Sequence, residues 1–393
     1  MMCKIDIPNG WRLPESLMLR RMPARSVKWR VNDFDKKFDD STLAYDIAYI
    51  AERKMAYLSC PPFNNLLEKA KEMQVCSAES GLPCAFEVLE MNRHARVAIK
   101  IPSGTTAINI SSELGSVRLP VNTDENDFFK DRRVLMTMSK DNRIEWICDW
   151  IRYYRDVHQI DAVLLYDNNS TSYDMEDLRN AILGIAGIQA VCIVKWNYKY
   201  GPQGFNGGHW DSDYCQSGAM ENARWKYLQK AKSVINVDVD ELVMPCEKSV
   251  MEMVERSVSG YLVFQGKWVI RTANDSIGRE KAIRHRDFSN VLITRLGLQP
   301  WKSFPLFPCM LHKSPRKWAA VPHQIPELSQ WQVHSIRNIK NRRKTDSRVQ
   351  YRHFRPINTS WNQNRCEVVA FDPKLHYVDH GLKAAMDMVC WSK

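Results

Sequence analysis

The stretch Ser233-Val234-Ile235-Asn236-Val237-Asp238-Val239-Asp240-Glu241-Leu242 sets three carboxylates directly behind a run of strand-forming residues. Val234, Ile235 and Val237 are apolar and β-branched, which suits a short strand with no solvent face. Asp238 and Asp240 then emerge at the strand's carboxyl end. Two residues apart in extended chain, their side chains are expected to point the same way, with Glu241 turned elsewhere. Hard oxygen ligands at that spacing match Mg2+ or Mn2+, which takes one or two protein carboxylates and completes its shell with phosphate oxygens and water. An acidic pair closing a strand is also a common solvated turn, so the surrounding sequence decides its meaning.

Upstream of this stretch, strand and helix signals alternate. Val134 to Met138, Ala162 to Tyr166 and Ala190 to Val194 read as strands. Ile144, Ile147, Ile151 and Tyr154 fall on one helical face, behind Asn142 as an expected N-cap with Glu145 three residues later. Asp174 to Leu183 and Gln216 to Ala231 are two further helices. This alternation predicts an α/β fold, a mostly parallel sheet with covering helices, and makes the acidic stretch the close of its fourth strand. Open sheets of this kind bind ligands outside the carboxyl ends of their strands.

The region before the alternation differs. Helices are expected around Leu43 to Tyr57 and Leu66 to Met73. A β pattern then follows in Ala95 to Ile101, the turn Pro102-Ser103-Gly104, and Ala107 to Ile110. Asn122-Thr123-Asp124-Glu125-Asn126-Asp127 reads as a linker. The expected organisation is an accessory α+β region over residues 1–127, the main α/β domain with its basic C-terminal part over 128–365 and a packed tail over 366–393.

A chain of 393 residues with 44% hydrophobic content buries a sizeable core. No apolar run reaches the roughly 18 residues of a membrane span, and Met1 to Asp6 lacks a secretory core, so a cytoplasmic protein is expected. The eleven cysteines contain no CxxC pair and fit reduced, buried thiols. The formal charge of +11 is concentrated late: residues 281–365 hold 17 Lys or Arg against three acids. Such a surface attracts phosphates or an anionic membrane, and peripheral attachment at the inner face of a membrane is one expected consequence.

Glu145-Trp146-Ile147 with Tyr153-Tyr154, then Leu165-Tyr166-Asp167-Asn168-Asn169-Ser170, then Gln216 to Asn222, then Val237-Asp238-Val239-Asp240-Glu241 together resemble the GT-A glycosyltransferases of family 92 and their bacterial family-2-like relatives. The resemblance extends more loosely to Val333-His334, Tyr351-Arg352-His353-Phe354, Asn358 and Trp361, and covers roughly residues 131–365. It implies a hexosyltransferase-type enzyme with a DxD motif. Such an enzyme uses manganese or magnesium to move sugar from a nucleotide-sugar donor, with inversion, to a glycan or lipid-linked acceptor in cell-surface polysaccharide synthesis. It further implies that Asp167, Asn168 and Asn169 meet the donor nucleotide, that Asp240 is a metal ligand, and that Asp238 contacts the sugar or the metal. A late histidine completes the metal shell in many such domains. His334 is the choice here, with His312, His323 and His353 as competitors.

Bond breaking at the anomeric carbon puts negative charge on the leaving diphosphate, which fixed cations stabilise. Lys313 and Arg316, flanking Ser314-Pro315 in a loop-like segment, are the candidate clamp, with Lys302 and Lys317 nearby in sequence. An inverting reaction also needs a carboxylate base, and Asp287 and Glu327 are candidates because acids are scarce in this part of the chain. Tryptophans among Trp196, Trp210, Trp225, Trp268 and Trp301 are candidate sugar platforms, and the glycines between Lys195 and Asp213 suit a lid. The alternatives are a nucleic-acid-binding protein using the basic carboxyl-terminal third, which lacks any known nucleic-acid signature, and a metal-dependent phosphatase or nuclease. No nucleic-acid partner is expected.

Overall fold

Four strands, Arg133–Ser139, Ala162–Asp167, Ala190–Lys195 and Ser233–Asn236, run parallel in the centre of a large sheet. They are seen in a computed structural model that describes residues 1–202, 214–273, 275, 282–301, 304–340, 344–359 and 367–391, with backbone alone at 298–301 and 304–309. The expected strands are therefore present, each within a residue or two of its predicted bounds. The run at Ser233 is shorter: it leaves the sheet at Asn236, before Val237.

A fifth parallel strand comes from an unexpected place. Met2–Asp6 pairs with Ala190–Lys195 and forms the sheet edge, so the first residues of the chain belong to the central sheet and not to the N-terminal unit. Beyond Ser233–Asn236 the sheet continues antiparallel through Lys313–Ala320, Tyr261–Thr272, Asn290–Leu292 and His376–Val378. The long strand Thr345–Phe354 lies beside Tyr261–Thr272 and also pairs with the short strand Glu241–Val243. The result is a mixed α/β fold whose parallel half is compatible with a Rossmann-like arrangement.

The helix Ile144–His158 covers one face of the sheet and buries Trp150, Ile151, Tyr153 and Tyr154. Its N-cap is Arg143, without a side-chain bond, and Asn142 donates instead to Ser139 Oγ at 2.9 Å. The expected capping box is thus replaced by a bond that closes the preceding loop. Gln216 to Ala231 is also broken up: Tyr214–Asn222 is α-helical, and Ala223–Tyr227 widens into a π-helical turn.

The span from Leu43 to Tyr57, expected as helix, is instead strand on either side of a 3-10 turn at Ala51–Arg53. Asp46–Ile50, Met55–Cys60, Ala95–Lys100 and Phe86–Glu90 make a four-stranded sheet. A separate three-stranded sheet holds Gln74–Ser77, Ala107–Ser112 and Gly115–Pro120. Asp46–Ile50 is buried almost throughout, which removes the in-out alternation that marks a strand in sequence. A helix does form at Leu67–Lys71, within the second expected span.

This N-terminal unit is joined to the central domain by buried charge. Lys226 Nζ lies 2.8 Å from both Asp6 Oδ2 and Asp46 Oδ2. Glu221 accepts from Arg96 and, at 2.7 Å, from Trp225 Nε1, while His94 Nε2 sits 3.3 Å away. The helix approaches so closely that a Cβ on Gly218 would overlap the Tyr45 ring. At the other end of the chain, Arg352 bonds Asp379, the N-cap of the helix His380–Asp387, at 2.6 Å. The segment after residue 366 also contributes Val368–Val369 and His376–Val378 as strands.

Candidate functional site

Asp238 and Asp240 occupy a tight turn in which Glu241 N donates to Asp238 O at 3.0 Å. The sheet strand has already ended, so the two carboxylates are not aligned along extended chain as expected. Each has its own partner. Lys317 Nζ lies 2.7 Å from Asp238 Oδ2, and His353 Nε2 lies 3.1 Å from Asp240 Oδ2. The turn is held from below: His285 Nε2 donates to Val239 O at 2.8 Å, and Tyr154 Oη donates to Glu241 O at 3.0 Å.

Glu241 is the buried member of the trio. It opens the strand Glu241–Val243 opposite His353, accepts from Asp238 N at 2.8 Å and lies 3.0 Å from Lys317 Nζ. Burial pushes its carboxyl up, and Asp238 adds to that push while Lys317 and His353 oppose it. Burial works against the Lys317 ammonium, yet Asp238 and Glu241 together hold it well above the ordinary lysine range. One enclosed ammonium thus serves two carboxylates. Asp238 and Asp240 keep 35% and 17% of their side-chain surface accessible, whereas Lys317 and Glu241 keep almost none. Two partly accessible carboxylates thus sit over a buried ionic base.

Sequence reasoning placed Lys317 only in the general basic region and His353 only as a competing histidine. Their distinguishing signal is strand alternation beside bulky neighbours, in Arg316-Lys317-Trp318 and Tyr351-Arg352-His353, which carries a charged side chain into the sheet. Trp268 stacks on His353 with ring centroids 4.0 Å apart, fixing its ring.

His334 lies near the same group. Its Nδ1 is 3.0 Å from Arg316 O, and its pKa is lowered, first by surrounding protein and then by the Lys317 ammonium, with Asp238 pulling the other way. Among the described residues no three His, Cys, Asp or Glu side chains are arranged as a metal-holding group. The residues do fit a hard divalent ion of the kind that needs one or two carboxylates and takes its remaining oxygens from phosphate and water. Asp238, the more accessible of the two, is paired with Lys317, whereas Asp240 is oriented by His353 and is the ligand such an ion would use first.

The expected nucleotide loop is more committed to structure than its sequence suggested. Asp167 Oδ1 accepts from Ser170 N at 3.0 Å and Oδ2 from Tyr173 Oη at 2.6 Å, an Asx-type turn at the strand end. Asn168 Nδ2 donates to Trp196 O and Tyr198 O, each at 2.9 Å, and Asn169, at φ +59°, donates to Tyr198 O at 3.1 Å. Asn168 and Asn169 nonetheless line a cavity of about 340 Å3. It lies at the carboxyl ends of three neighbouring parallel strands, where Lys140, Asn168 and Asn197 follow them. Arg12, Asp39, Ser41 and Thr42 of the N-terminal unit close its other side.

Lys313 and Arg316 belong to the strand Lys313–Ala320 and not to a loop, and Arg316 presents its carbonyl to His334. Asp287 Oδ2 accepts from Arg284 N at 2.8 Å and caps a short 3-10 turn, two residues from the His285 that supports the acidic turn. Glu327 is tied to the N-terminal unit instead, accepting from Tyr57 Oη at 3.1 Å and Arg53 Nη1 at 3.5 Å. Trp196 and Trp225 are core residues. Lys302, Trp361, Trp210 and the glycines after residue 202 lie outside the described residues, as does the side chain of Trp301. The basic region is partly neutralised internally, since Arg352 and Arg348 pair with Asp379 and Asp346 at 2.6 Å. Among the described residues no helix is long and apolar enough to cross a membrane.

No protein-family model matches the chain, and no curated protein matches it. Among solved structures, 40% of this chain is similar to part of the apo structure of WbbM, a bifunctional glycosyltransferase, at 12% identity and a TM-score of 0.25. The chain spans 27% of that protein's length. A likeness of this degree is a weak one of fold and says nothing about this chain's chemistry.

Proposed function

We propose that the chain is a glycosyltransferase moving a sugar from a nucleotide-diphosphate donor to a glycan or lipid-linked acceptor. The observation that carries this reading is the pairing of two partly accessible carboxylates, Asp238 and Asp240, with a polar cavity along the adjoining strand ends. Carboxylates at one strand end and a cavity at the next three suit a ligand with a diphosphate at one end and a nucleoside at the other. A bound Mn2+ or Mg2+ on Asp240 and Asp238, with His334 beside them, would neutralise the leaving diphosphate. The protein's own part is to hold that acidic turn rigid through Lys317, His353 and His285, so that little reorganises as charge develops.

Inversion is part of the proposal, and Asp287 is the base it retains, because His285 ties that segment to Val239. Glu327, engaged with Arg53 and Tyr57, is less suited. Membrane attachment is proposed through the exposed part of the late basic region, with an acceptor in cell-surface polysaccharide synthesis. The test is nucleotide release from a panel of nucleotide sugars with Mn2+, comparing the wild type with Asp240→Ala. Release by the wild type that is lost on chelation and in the variant supports the reading. Failure of the wild type to bind or cleave any nucleotide sugar sinks it.

A further inference from the structure

The geometry points to Asp39 and Arg12 of the N-terminal unit as ligand-reading residues of the strand-end cavity, with a ribonucleoside diphosphate as its ligand class. This rests on the glycosyl-transfer reading above and gives the N-terminal unit a part in it. Asp39 lines the cavity at 6% exposure. Its Oδ1 accepts from Thr42 N at 3.0 Å and from Ser41 N at 3.4 Å, which fixes the turn. Its Oδ2 is buried and has no hydrogen-bond partner among the described residues. An enclosed carboxylate oxygen is costly unless a donor meets it, and a pair of ribose hydroxyls supplies such donors. Asp167, the acid that the family resemblance assigns to the nucleotide, has both oxygens engaged by Ser170 and Tyr173. Asp39 is therefore the better-placed acceptor for the ligand.

Charge around the same cavity completes the reading. Arg12 is exposed, stands 5.4 Å over the Tyr198 ring and, among the described residues, donates one bond, to Asn197 O at 3.2 Å. A guanidinium carries five N–H donors, so most of its capacity is left for an incoming phosphate. Lys140 and Lys199 add two more cations at the rim. Hydroxyl-accepting carboxylate, aromatic surface and phosphate-binding cations match a ribonucleotide and not a bare sugar.

The test titrates UDP, GDP, CDP and ADP, with their 2′-deoxy counterparts, into the full-length wild type, Asp39→Asn and Arg12→Ala, with thermal melts alongside. Asparagine keeps an oxygen for the Thr42 and Ser41 amides, so the turn survives while the unpartnered acceptor becomes a donor. For any diphosphate that the wild type binds, Asp39→Asn is expected to weaken the ribo form about 10- to 100-fold and to narrow its advantage over the deoxy form. Arg12→Ala, at an exposed position, is expected to weaken ribo and deoxy forms alike by about tenfold. Unchanged affinities in both variants, with the wild type binding, overturn this inference and leave the transferase reading standing. If the wild type binds none of the diphosphates, the transferase reading fails first and takes this one with it.

Discussion

Lys317 Nζ lies 3.0 Å from Glu241 Oε2, with both side chains enclosed by protein. The pair supports the acidic turn from inside, since Glu241 also accepts from Asp238 N and Lys317 also reaches Asp238. Removing one partner of a buried pair leaves the other charge without compensation, whereas removing both does not. Lys317→Met is therefore expected to lower stability by about 3–5 kcal/mol. The double variant Lys317→Met with Glu241→Gln should recover part of that loss. Urea unfolding of the two single variants and the double variant measures the coupling directly.

His353 orients Asp240, and Trp268 fixes the His353 ring from its face. A group that orients a metal-binding carboxylate contributes to affinity without touching the metal. His353→Phe preserves the stacking on Trp268 and removes the nitrogen facing Asp240. Mn2+ affinity should fall about 10- to 100-fold with little change in the folded state. Calorimetric titration of Mn2+ and a thermal melt on the same variant separate the two effects, and an unchanged Mn2+ affinity would remove His353 from the site.

The parallel half of the sheet was legible because Ala162–Asp167 and Ala190–Lys195 are unbroken apolar runs bounded by polar turns. Local pattern suffices for strands of that kind. Met2–Asp6 was not legible, since its partner lies about 190 residues away and an edge strand needs no distinctive composition. The span from Leu43 to Tyr57 misled for a different reason. Leu43, Ile47 and Ile50 recur at helical spacing, while burial on both faces erased the alternation that would have opposed a helix. In the site, Asp238 and Asp240 stood out through their context, since an acidic pair closing a strand is common by itself but here follows three alternating strand and helix units. The partners that shape them, Lys317 and His353, come from strands whose pairing only the folded chain reveals.

The N-terminal unit should be inseparable from the central domain. Burial opposes ionisation of Glu221, but the Arg96 guanidinium beside it, with His94, holds its carboxyl well below the usual range. Both Arg96 and Glu221 are buried at the junction, so the variant Glu221→Ala strands a buried cation. A loss of about 3–5 kcal/mol is expected, with earlier protease cleavage within residues 42–121. If those residues stay protected and the melting temperature is unchanged, the junction does not depend on this pair.

His158 provides the expected pH dependence of stability. It ends the helix Ile144–His158, is fully buried and donates through Nε2 to Val243 O at 2.8 Å. Burial disfavours the imidazolium and lowers its pKa to about 4, with the Val243 bond opposing the shift only in part. An exposed histidine in the unfolded chain titrates near about 6.5. Above that pH neither state binds the proton, and the contribution of the neutral ring is fully present. Between about 6.5 and 4 the unfolded chain takes up a proton that the folded chain refuses, so stability falls as pH falls, by about 3 kcal/mol in all. His158→Gln should flatten that part of the curve while costing some stability at neutral pH through altered packing. Urea unfolding at steps between pH 7.5 and 4 in about half-unit intervals gives both slopes. Equal slopes in the two proteins would place the pH sensitivity elsewhere.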